Sequence, residues 1–146
     1  MDEFNSVLIS RENDKLRGVV VLIHPDLRTD GLGMQNQVGV ICEANIRLDD
    51  FYVDFKVVTG LYSADALFTF LPEDTIHENL AGLSFEDYAD EIKTLTQVDL
   101  MVRYGDVTAK INAMFLVRNN PVIQPYCVEI LQNQISPDIS NHYGRD

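Results

Sequence analysis

The chain has 146 residues, 46% hydrophobic and 23% charged, which is enough apolar material for a core and too much for a chain disordered throughout. Its 11 basic and 23 acidic side chains give a net charge of −12, which repels phosphate backbones and anionic membranes at long range. No apolar run approaches the roughly 18 residues that span a bilayer, so neither a nucleic-acid nor a membrane partner is expected.

The opening Met-Asp-Glu-Phe-Asn lacks the basic and apolar regions of a secretory signal, and two cysteines, Cys42 and Cys127, suit a reducing cytoplasm better than a disulfide framework. Residues 1–80 carry 14 acidic and 6 basic side chains and residues 81–146 carry 9 and 5, so neither half hides a basic module.

Residues 1–12 carry no assignment, because Val7-Leu8-Ile9 fits either a short edge strand or packing against helices. From residue 13 to about 75 the signals are those of strands. Val19-Val20-Val21-Leu22-Ile23-His24 is a β-branched run stopped by Pro25 and Asp26. Turn residues Asp30-Gly31 and Gly33 follow, then Val38-Gly39-Val40-Ile41-Cys42. Phe51, Val53 and Phe55 alternate with Tyr52, Asp54 and Lys56, the period of a half-buried strand. Thr59-Gly60 reads as a turn into Leu61-Tyr62-Ser63, and Phe68-Thr69-Phe70-Leu71 makes a last strand before Pro72.

Over residues 80–137 the period changes to that of helices. Ser84 precedes Glu86 and Asp87 as a cap with dipole-complementing acids, and Phe85, Tyr88, Ile92, Leu95 and Val102 form one stripe. Gly105 is expected to end that helix in the left-handed conformation. Asp106 caps a second helix with Val107, Ile111, Met114 and Phe115 on its apolar face. A third is expected to start near Pro125, bury Cys127, Ile130 and Leu131, and close at Ser136-Pro137. Residues 138–146 read as a polar, frayed tail. The fold class is α+β: a small antiparallel barrel followed by about three helices, docked on the barrel or pairing two chains.

The order of segments resembles the SH3-like barrel superfamily in its Tudor- and KOW-like forms. Gly18 with Val19–Ile23, Gln37–Ile41, Asp50–Phe55, Gly60–Ser63 and Ala64–Leu67 carry the resemblance, over residues 13–72 only. It implies a valine-rich first strand, a variable loop, a Tyr-Val-x-Phe strand across the middle and a short helical turn before the closing strand. Such barrels bind peptides, nucleic acids or only neighbouring domains.

Chemistry-bearing motifs are sparse. His24, His77 and His142 lie far from one another and from cysteines, so no local zinc motif exists. His24 and Asp26 could display an acid–base pair at a strand end, with Asp49 and Asp50 as nearby carboxylates, in a hydrolase-like or metal-dependent site. Asp49-Asp50 is equally ordinary turn chemistry. Gly31-Leu32-Gly33 is not followed by a third glycine, and no cofactor motif stands out. Cys42 and Cys127 read as small buried apolar residues rather than nucleophiles. The leading expectation is a non-enzymatic interaction module for a protein or peptide, with Tyr52, Tyr62, Asp49 and Asp50 at the partner surface. Tyr52 and Tyr62 are both expected outside the barrel, opposite Phe51, Val53 and Leu61, where they either capture a peptide or lie beneath the helices.

Overall fold

The computed structural model describes residues 11–135. The expectations for Val7-Leu8-Ile9, Ser136-Pro137, the tail and His142 lie outside them. The described chain is α+β: an open, six-stranded antiparallel sheet and three helices of nine or more residues.

The strands are β1 (Val20–Ile23), β2 (Val38–Asn45), β3 (Asp50–Asp54), β4 (Thr59–Tyr62), β5 (Leu67–Phe70) and β6 (Val128–Ile130), in the order β4-β3-β2-β1-β5-β6. A 3-10 turn over Ala64–Ala66 leads into β5. Residues 11–15 are helical rather than part of the strand region expected from residue 13. Among the described residues the further helices are α1 (Glu73–Ala81), α2 (Phe85–Tyr104), α3 (Val107–Arg118) and the single turn α4 (Gln124–Cys127). The sheet does not close into the small barrel expected: β4 and β6 are its margins among the described residues.

The run Val20–Ile23 is buried on both faces because β1 lies centrally and each face has its own apolar layer. On one face Val21 and Ile23 join Ile41, Phe51, Val53, Tyr62 and Leu67, closed over by Leu131 and Ile135. On the other, Val20 and Leu22 meet Ile76 of α1, Leu95 and Val98 of α2, and Met114 and Val117 of α3.

Several local expectations change in detail. Thr59-Gly60 is strand rather than turn, and the chain reverses at Lys56, whose φ is 78°. Helix α1 lies ahead of the helical region expected from residue 80; Pro72 stands before it and Glu73 and Asp74 fill its first turn. Helix α2 begins after Ser84, whose side chain makes no capping bond, and its helical geometry breaks at Tyr88. Phe85, ahead of that break, is therefore 72% exposed rather than part of the buried stripe. Gly105 ends α2 in extended, not left-handed, conformation (φ −89°, ψ 162°). Asp106 caps α3 as expected, accepting from Ala109 N–H. Val107 and Phe115 are exposed; Ala113, Met114 and Val117 are the buried side chains of α3. The expected third long helix is one turn, after which Val128–Ile130 pairs with β5.

Candidate functional site

The helices do not cover the whole of their face of the sheet. Directly paired residues of adjacent strands share a face, so the register Phe51↔Tyr62 and Tyr52↔Leu61 puts the two tyrosines on opposite faces. Tyr62 is 6% exposed within the core layer of Phe51, whereas Tyr52 is 37% exposed. The common outer face expected for the two rings is absent. Leu61, expected to point inward, is 54% exposed beside Tyr52.

Tyr62 is held by a specific partner. Its hydroxyl donates to Asp30 Oδ2 at 2.9 Å, and the same carboxylate accepts the Leu32 and Met34 N–H groups at 2.9 and 3.0 Å. Burial works to raise the Asp30 carboxyl, but the bonds from Leu32, Tyr62 and Met34 outweigh it and hold it below the usual range. Burial first, then the bond to Asp30 and its charge, push the Tyr62 phenol well above its ordinary value. A cleft of about 290 Å³ opens beside this pair, bordered by Leu27, Leu32 and Leu61.

Asp49 and Asp50 separate in function. Asp49, at φ 56°, accepts the Ala64 N–H at 2.8 Å and thereby ties the β2–β3 turn to the 3-10 turn. Asp50 borders a cleft of about 420 Å³ with Tyr52, Leu48, Glu43, Asp14 and Arg17. Leu48 is 67% exposed there. A bulge between Ile41 and Glu43 brings Glu43 opposite Tyr52 and leaves Cys42 exposed rather than buried as expected, its thiol donating to the Tyr52 carbonyl at 3.4 Å. Exposed apolar side chains border both clefts: Leu48 lines one with Tyr52, Tyr52 pairs with Leu61, and Leu61 lines the other with Leu32 at the margin of the sheet. Carboxylates fringe both clefts.

The residues of the expected acid–base site are employed differently. His24 Nδ1 accepts the Asp26 backbone N–H at 3.0 Å, and the ring lies 5.0 Å from that of Phe68. Its contact with Asp26 is therefore to the main chain, not the carboxylate. Cys127 is buried, and burial pushes its thiol up to about 12, far from a reactive thiolate. Among the described residues, no three His, Cys, Asp or Glu side chains gather as a metal-ligand set, and no helix is long and apolar enough to cross a membrane.

One polar cluster has no local sequence signal. Asp99 of α2, almost fully buried, accepts from or pairs with His77 Nδ1 of α1 at 3.1 Å and lies 3.6 Å from Arg103 Nη2. The His77 ring is half exposed, and a separation of 22 residues hides the pair from any motif search. The helical side also carries a shallow apolar groove between α2 and α3, bordered by Leu100, Met101 and Leu116, on the surface where pairing of two chains through helices was expected. Comparison of the chain with protein-family models, curated proteins and solved structures gives no match.

Proposed function

We propose that the protein is a non-enzymatic interaction module that docks a protein or peptide on the uncovered end of its sheet. The observation that carries this reading is the set of exposed apolar side chains Leu48, Tyr52, Leu61 and Leu32 that border the two clefts on and beside β3 and β4. Exposed apolar surface with a polar rim is a mark of interaction sites, and tyrosine offers large contact area with little entropy to lose. The strand order β4-β3-β2-β1-β5 with a 3-10 turn before β5 supports an SH3-like organisation of residues 13–72, opened at β4 and extended by β6. Two free thiols, one exposed and one buried, support a cytoplasmic setting. The net charge of −12 supports protein rather than nucleic-acid partners.

The test uses the purified full chain as bait in extract of its native host, followed by reconstitution with each captured protein. Tyr52→Asp and Leu61→Asp should abolish reconstituted binding while melting near wild type, and Leu100→Asp on the helical groove should bind normally. A partner bound equally by Tyr52→Asp and Leu61→Asp would overturn the reading.

A further inference from the structure

We infer that the segment docked here is an extended, cationic peptide stretch that adds to the free margin of β4 as a further strand. The inference rests on the docking face proposed above and adds the main-chain geometry of its border.

Among the described residues β4 pairs only with β3. The β3–β4 hairpin closes with the Phe55 N–H donating to the Val58 carbonyl at 2.9 Å, so that pair turns its main-chain groups toward each other. In an antiparallel ladder such pairs alternate with pairs whose N–H and C=O groups point away. Along the unbroken register, Gly60 with Val53 and Tyr62 with Phe51 face inward, whereas Thr59 with Asp54 and Leu61 with Tyr52 are the intervening pairs. Thr59 and Leu61 therefore present their N–H and C=O groups along the open margin. Leu61 is also one of the exposed apolar side chains bordering the clefts, so main-chain and side-chain recognition meet at one residue.

Edges are ordinarily blunted by proline, charge, a bulge or a cover. Thr59-Gly60-Leu61-Tyr62 has no proline and no charge, and the sheet's bulge lies in β2. The opposite margin, β6, has three residues and carries Glu129.

Charge selects what is added. Asp14, Glu43 and Asp50 outnumber Arg17 around the Tyr52 cleft, Asp30 lies in the other cleft, and Asp54 stands opposite Thr59. A second copy of the chain would bring another −12 and the same carboxylates to the seam. A strand alternating apolar residues with lysine or arginine offers apolar contact to Leu61 and cations to the fringe.

The test is amide hydrogen exchange on the full chain by NMR. The probe is a capped peptide of about ten residues alternating lysine and valine, long enough to cover an ordinary strand. Its glutamate–valine counterpart and a lysine–valine peptide N-methylated along one edge are the controls. With the probe at about ten times its dissociation constant, the Thr59 and Leu61 amides should exchange about tenfold more slowly. Gly60 and Tyr62, already bonded to β3, should change far less, and added salt should weaken the effect. Both control peptides should fail. Leu61→Pro removes an outward donor without touching the β3 ladder, and should melt near wild type yet lose the probe; if it unfolds, the N-methylated peptide carries the same test.

Unchanged exchange at Thr59 and Leu61, or equal protection by the glutamate peptide, overturns the inference. So does protection that grows with protein concentration in the absence of peptide, which is strand pairing of two copies. An N-methylated peptide that still shifts Tyr52 and Leu48 overturns strand addition alone and leaves the docking face standing. Failure of the docking face is read separately, from Tyr52→Asp retaining its reconstituted partner.

Discussion

Tyr62 and Asp30, 32 residues apart in the chain, are joined by a 2.9 Å hydrogen bond that ties the marginal strand β4 to the loop after β1. The bond crosses the border between the apolar layer beneath the sheet and the cleft beside Leu32, so the carboxylate organises the loop and the strand together. Bonds to a charged group are among the stronger ones in a folded chain.

Tyr62→Phe keeps the ring and removes this bond. It should lower unfolding stability at neutral pH by about 1.5–3 kcal/mol, read by denaturant titration. The pH profile is the sharper measurement. Asp30 is held below its unfolded value, so its contribution is present above about pH 4 and is lost as the pH falls through the lowered folded value. Tyr62 is raised, so its contribution is present below about pH 10 and is lost as the pH climbs toward the raised folded value. The difference between wild type and Tyr62→Phe should therefore be flat at neutral pH and shrink on both sides. A difference independent of pH would contradict this linkage.

Gly60 makes room for the same ring. A Cβ at residue 60 would fall 2.6 Å from Tyr62 Cε2 and 2.8 Å from its hydroxyl oxygen, so Gly60→Ala must displace the ring from Asp30. The expected loss is about 1–3 kcal/mol, typical of overpacking. In a Tyr62→Ala background the same change should cost much less, and a double-mutant cycle measures the coupling. Additive losses would show that the ring is not what Gly60 accommodates.

The two sides of the helical layer should respond differently to truncation. Met114 is fully buried against the sheet, and Met114→Ala should cost about 2–5 kcal/mol. Leu100 borders the open groove, and Leu100→Ala should stay within about 0.5 kcal/mol. Thermal melts of both variants make the comparison.

Asp99 is the charged link between α1 and α2. Asp99→Ala leaves the partly exposed Arg103, whose Nε is already buried without a hydrogen-bond partner, with its counter-charge gone, and should cost about 1–3 kcal/mol. His77→Ala should cost far less, because the imidazole is half exposed and Asp99 keeps Arg103. Equal losses for the two variants in chemical denaturation would place the energy in the His77 contact instead.

The order of strands along residues 13–72 was legible because its signals are local. A β-branched run stopped by Pro25, the alternation of Phe51, Val53 and Phe55, and the cap at Asp106 each depend on neighbours a few residues away. Helix α1 is weakly marked in the sequence because it buries only Ile76, too little to make an apolar stripe, although Pro72 with Glu73 and Asp74 is a readable start signal. Of the candidate site, Tyr52 and Asp50 could be singled out by residue type; their meeting with Leu48 and Arg17 could not.

By itself, the sequence determined the α+β class, the acidic balance and the local periods of strand and helix, because propensity, turn chemistry and capping act over one or two turns of chain. Tertiary structure alone decided which face each tyrosine takes, since a one-residue change of register moves every side chain of β4 to the other side. It also turned Val128–Ile130 into a strand by offering it the edge of β5, and brought His77 to Asp99 by packing α1 on α2. These outcomes depend on pairing partners distant in the chain, and short segments carry no record of which partner will be beside them.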